Sequence, residues 1–126
     1  MVDGVGIDMV DVGRMAEKLN KEAGFRELVF SSQEIGYCEA KKNKFEHYAA
    51  RFAAKEAFFK ALGTGWADGT AFNEVEIIHK EGGSPALNLL GATREGLAHL
   101  RIIKILVSLS HISTMASAIV IIEKQP

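Results

Sequence analysis

The spacing of apolar positions changes several times along the chain. In GVGIDMV, Val5, Ile7 and Met9 alternate onto one face of a strand, while Gly4, Gly6 and Asp8 share the other. Glycine weakens a strand interior, so two on one face point to a backbone or ligand pressed close there. From Asp11 the spacing turns helical: DVGRMAEKLN has Asp11 as a cap and sets Met15 and Leu19 four apart. FSSQEIGYCEAKK opens with a capping box, Ser31 accepting from the third amide and Glu34 reaching back, and predicts a helix over Ser32–Lys42. RFAAKEAFFKALGTG, residues 51–65, predicts a third helix that stops where Gly63 can turn left-handed.

Turned at about 100° per residue, that third helix raises a question. Ala53, Ala54, Ala57, Phe58 and Ala61 gather on a core face. Arg51 and Lys55 form one charged ridge, and Glu56 and Lys60 a second. Phe52, Phe59 and Gly63 fall between the ridges, where solvent belongs, so something other than water is expected to cover them.

The second half is strand-rich. FNEVEIIHK alternates, EGGSP is a turn, and GATREGLAHLR predicts a short helix. IKILVSLS and MASAIVIIE, rich in β-branched residues and separated by HIST, predict a hairpin. The resulting order is strand, helices, strand, helix, strand, strand. That order predicts an α+β fold with helices packed on a mostly antiparallel sheet.

Composition narrows the function classes. The 126 residues suit one domain over residues 1–126, and 48% hydrophobic content argues against disorder. Fifteen basic and sixteen acidic side chains leave a net charge of −1, which disfavours a strongly basic nucleic-acid binder. Cys38 stands alone, so no internal disulfide forms and a reducing cytoplasm is the expected setting. No stretch is apolar for the roughly 18 residues a membrane span requires, and no signal-peptide pattern is visible.

Two acidic residues carry the sharpest chemistry. Asp8, among apolar residues and glycines, needs a cation, a donor or exposure at the strand end. Glu56 could form a surface pair with Lys60 one turn on, and Asp8 could be an ordinary strand-end residue. If the fold joins them, the two carboxylates suit Mg²⁺, which keeps waters and completes its shell with phosphate oxygens. Lys60 and Arg51 could then add charge for phosphates. No Walker spacing is present, and His111, without a second His or Cys at zinc-like spacing, is read as a turn residue. His47, His79 and His99 carry no distinguishing context.

Together GVGIDMVDVGRM, RFAAKEAFFKALGTG, GGSPAL and VSLSHISTMASAIVIIE resemble holo-(acyl carrier protein) synthases, the short trimeric branch of the 4′-phosphopantetheinyl transferases. The resemblance runs from about Gly4 to Glu123. It implies transfer of phosphopantetheine from coenzyme A to a serine of apo acyl carrier protein, in fatty acid biosynthesis, leaving 3′,5′-ADP. By motif it implies Asp8 and Glu56 as metal ligands for Mg²⁺ (Mn²⁺ possible) and Lys60 near the reacting phosphates. It implies Arg51 on the nucleotide side of coenzyme A, with Gly63, Thr64, Gly65, Pro85 and His111 lining the coenzyme site between subunits of a homotrimer. Glu56, Asp8 or a metal-bound water could take the serine proton, with Glu56 preferred, directly or through such a water. Arg14, and Arg26 nearby, match carrier-docking arginines, although Glu17, Glu22 and Glu27 interrupt the basic run. On this resemblance, Phe52 and Phe59 are expected to lie under a neighbouring subunit or the coenzyme. The alternative is a non-catalytic oligomeric module that binds coenzyme A or a nucleotide and has little need for paired carboxylates.

Overall fold

Helix α4, Lys44–Leu62, is buried on almost every side, and the rest of the chain is arranged around it. The structure is a computed structural model, which describes residues 1–63 and 69–126. Strand β1 (Val2–Asp11) leads into α1 (Val12–Lys21), α2 (Phe25–Val29), α3 (Ser32–Glu39) and then α4. The hairpin β2 (Val75–His79) and β3 (Pro85–Leu89) follows, then α5 (Gly91–Gly96), β4 (Ile102–His111) and β5 (Met115–Lys124). One antiparallel sheet has the order β1–β5–β4, and the second is β2–β3. This is the predicted α+β arrangement.

Local chemistry accounts for the boundaries. Asp11 accepts from the Arg14 amide at 2.9 Å to start α1. The capping box forms in full at α3, with Glu34 N to Ser31 Oγ at 3.2 Å and Ser31 N to Glu34 Oε1 at 3.0 Å. Helix α3 nonetheless ends at Glu39, short of Lys42. Helix α4 starts at Lys44, seven residues before the Arg51 of the predicted segment, and closes on Gly63 at φ 80°.

Between β1 and α4 the backbones nearly touch. A Cβ at Gly4 would collide with the Ala61 carbonyl, and one at Gly6 with the Ala57 carbonyl. The close approach expected from the two glycines is therefore to a helix backbone. Opposite that face, Val5, Ile7 and Met9 are exposed, as alternation requires.

Two expectations fail. Arg51 and Lys55 do not form a solvent ridge: they are 1% and 0% exposed. Lys55 Nζ donates to Glu34 Oε1 (2.7 Å), Phe72 O (2.8 Å) and Val75 O (2.6 Å), a set of acceptors from three other segments. Burial pulls this ammonium below the ordinary lysine value, against the Glu34 charge. Nor does Phe59 wait for another molecule, while Phe52 stays half-buried. Phe72 covers both, stacked on Phe52 at 5.8 Å and edge-on to Phe59 at 5.4 Å, and Phe59 is buried. The chain's own 3₁₀ turn, Phe72–Glu74, supplies the cover.

Candidate active site

Asp8, Glu56 and Lys60 meet where β1 crosses α4, all from one chain. Lys60 Nζ donates to Asp8 Oδ1 at 2.9 Å and to the Ile7 carbonyl at 3.1 Å. Lys60 thus takes the carboxylate across the crossing as its bonded partner, which the surface-pair reading with Glu56 did not anticipate. Partial burial, then the nearby Asp8 charge, raise the Glu56 carboxyl above the ordinary range, while Lys60 pulls it back. The Asp8 hydrogen bond and charge raise the Lys60 ammonium in turn. Two carboxylates that repel each other and share one ammonium form a charge-hungry centre.

That donor set fits a divalent ion in a specific sense. Asp8 and Glu56 supply two oxygen ligands, and an ammonium already stands where positive charge is wanted. Among the described residues no group of three or more His, Cys, Asp or Glu could cage a metal. Remaining ligands would have to come from water and substrate.

A second cluster lies at the other end of α4. His111 Nδ1 is 2.8 Å from Glu46 Oε1, so this histidine is paired and half-buried. His47 packs against His111 at 5.2 Å and against Tyr37 at 5.7 Å. Tyr37 stacks on His79 at 4.8 Å and receives the Arg51 guanidinium at 4.2 Å from its ring centre. Arg51 Nη2 lies 3.2 Å from His79 Nδ1, which acts as acceptor to this permanent donor, while Arg51 Nε is buried without a hydrogen-bond partner among the described residues. Burial, then the Arg51 charge, lowers the His79 value; burial, then His111 and Arg51, does the same for His47. Pro85 pairs with His79 across the β2–β3 ladder. The structure therefore gathers Arg51, Pro85 and His111 around Tyr37, His47 and His79, three residues that sequence reasoning passed over. Their signal was invisible because they come from α3, α4 and β2.

Gly63 caps α4, and Thr64 and Gly65 lie outside the described residues. Arg14 is exposed on α1 beside Lys18 and Lys21. Arg26 is half-buried, 3.7 Å from Glu39 and 5.8 Å over the Tyr48 ring. Cys38 is buried, its thiol pushed up to about 12 chiefly by burial, which leaves it unreactive.

An acid pair sharing an exposed ammonium on an α+β scaffold has the equipment of an enzyme that handles phosphate groups. The chain belongs to the 4′-phosphopantetheinyl transferase superfamily, which residues 4–117 match. It is 40% identical over 125 residues to the holo-[acyl-carrier-protein] synthase of Geotalea daltonii, covering 98% of this chain and all of the relative. The enzyme of the same name from Cytophaga hutchinsonii is 53% identical over 85 residues, 68% of this chain and 67% of the relative. The crystal structure of holo-[acyl-carrier-protein] synthase from Neisseria meningitidis superposes with a TM-score of 0.89 at 29% identity, covering 98% of this chain and 100% of that one. The corresponding structure from Bacillus anthracis, in complex with CoA (3′,5′-ADP), gives 0.81 at 31% identity over 99% of both chains.

Proposed function

We propose that this chain transfers 4′-phosphopantetheine from coenzyme A to a serine of apo acyl carrier protein, giving the holo carrier and 3′,5′-ADP, in the cytoplasm and in fatty acid biosynthesis. The observation that carries the reading is the meeting of Asp8, Glu56 and Lys60 at one crossing, in a chain whose relatives bear the synthase name.

Asp8 and Glu56 would hold Mg²⁺ (or Mn²⁺), which when bound neutralises the diphosphate and orients it. The serine Oγ attacks the β-phosphorus, the bond from that phosphorus to the 3′,5′-ADP oxygen breaks, and the serine proton passes to a base. Glu56 is the preferred base, directly or through a water. Lys60 reaches the transferring group and offsets charge that develops on its oxygens. Arg51, Pro85, His111 and the Gly63–Thr64–Gly65 segment would line the nucleotide side, and exposed Arg14 would meet the acidic carrier, with Arg26 behind it.

Two features favour a shared site in a homotrimer. At 100° per residue, Arg51 and His47 point 140–180° away from Glu56 and Lys60, so the two half-sites of one copy face apart. A neighbouring copy can bring its half against the first. The outer sheet face also exposes Val5 (56%), Ile7 (62%) and Met9 (64%) beside Leu106 and Ile119, an apolar surface of the kind that subunit contact covers.

The test mixes the protein with apo carrier, coenzyme A and Mg²⁺ and weighs the carrier by mass spectrometry. A gain of one phosphopantetheine is expected. No gain, with folded protein and a carrier that a known synthase modifies, overturns the proposal.

A further inference from the structure

Lys60 holds its place with little enclosure. It is 54% exposed, whereas the Asp8 carboxylate it grips is 17% exposed. The carboxylate is thus fixed in the strand–helix crossing, while the lysine arrives from solvent on a flexible stem and can return there. Its ammonium bonds the Asp8 oxygen and the Ile7 carbonyl, so it already holds one oxygen of the carboxylate that an ion would need. Two carboxylates and one ammonium leave the centre one positive charge short of neutrality. A divalent ion in the lysine's place would balance the pair; an ion added beside the lysine would overshoot it.

We infer that Lys60 is a built-in counter-ion of the carboxylate pair, which the divalent ion must displace, so that loading the metal and freeing the lysine for the diphosphate are one event. This rests on the reading of Asp8 and Glu56 as metal ligands. It explains how one lysine can serve two ends: it keeps two mutually repelling carboxylates quiet in the empty protein, and is released toward phosphate only when an ion has arrived. It also predicts that the ion alone binds weakly. Displacing the ammonium costs the ion part of its own attraction, and the diphosphate restores it by giving Lys60 a new anionic partner.

The test measures Mn²⁺ binding by the electron paramagnetic resonance of the free ion, without carrier so that no turnover intervenes. Wild type, Lys60→Met and Glu56→Gln are compared with and without coenzyme A. Methionine keeps the stem and removes the charge at an exposed position, and thermal melts verify that it folds. Lys60→Met should bind Mn²⁺ alone about tenfold more tightly than wild type, the order expected for removing one unit charge a few ångströms from the ion in a watery site. It should also gain less than wild type from coenzyme A. If Glu56→Gln weakens Mn²⁺ binding but Lys60→Met leaves it unchanged or weaker, the ligand reading survives and this inference fails. If wild type and Lys60→Met both fail to bind Mn²⁺ even with coenzyme A, the ligand reading fails and takes the inference with it.

Discussion

Lys55→Met should destabilise the fold far more than an average substitution, and the structure sets the scale. Lys55 and Glu34 are both 0% exposed, 2.7 Å apart, and every proton of the ammonium has an acceptor. Glu34 in turn receives the Ile77 and Ser31 amides at 3.0 Å each. Methionine matches the stem, so cavity loss is small. What remains is a buried carboxylate without its cation and two carbonyls that have each lost a donor. Breaking a buried pair from one side costs about 3–5 kcal/mol, against a total stability of about 5–15 kcal/mol. At about 4 °C per kcal/mol for a chain of this size, Tm should fall by about 12–20 °C. Circular dichroism melts and urea titrations at one fixed protein concentration measure this, since assembly would otherwise shift the midpoint. Glu34→Gln removes the stranded charge while keeping an oxygen for Ile77. The double variant should therefore be more stable than Lys55→Met alone, and the cycle should show a coupling of about 2 kcal/mol. A loss below about 1 kcal/mol for Lys55→Met, or strict additivity in the double, would refute the buried-pair reasoning.

Other expectations are more quickly stated. Glu56→Gln should abolish transfer yet melt no lower than wild type at pH 7. Because the raised carboxyl holds its proton more tightly folded than unfolded, wild type should gain on the variant as pH falls through the folded value; a variant markedly less stable at pH 7 contradicts this. Gly6→Ala should cost about 1–3 kcal/mol in urea unfolding and most of the transfer rate, by lifting β1 and Asp8 off α4; unchanged stability and rate would dismiss the close-packing argument. Ile7→Asp, on the exposed sheet face, should convert a trimer to monomers in light scattering and remove activity. A fully active wild-type monomer would eliminate the shared site.

Much of this architecture was legible because its signals are local. The alternation of Val5, Ile7 and Met9, the Ser31–Glu34 box, the Gly63 stop and the β4–β5 hairpin each depend on residues a few positions apart. Strand β3 was missed because PALNL is short and follows a turn whose Gly82 and Gly83, both at positive φ, dominate the pattern. The burial of Arg51 and Lys55 was missed for a different reason. A helical projection treats charge as a mark of solvent, yet the acceptors for Lys55 sit at Glu34, Phe72 and Val75, about twenty residues away on either side. Phe72 likewise covers Phe52 and Phe59 through a contact that no periodicity encodes. Asp8 and Glu56 were legible as acids with a problem, and only the crossing makes them neighbours.

The crossing itself explains why the acid stands at position 8. Two strand residues advance about 6.8 Å, and four helix residues advance about 6.0 Å. A strand and helix laid side by side therefore repeat their contacts in step. Gly4 meets Ala61 and Gly6 meets Ala57, the strand ascending as the helix descends. At neither glycine is there room for a Cβ, so no side chain of any kind can occupy that face at position 4 or 6, and Asp8 is the first residue beyond them on it. Helical side chains lean toward the helix N-terminus, which tilts Lys60 and Glu56 along β1 toward that first open position. Any larger residue at 4 or 6 would separate the backbones and leave the carboxylates too far apart to share one cation. The glycines and alanines thus determine where charge can be placed, and the acid pair follows from their fit.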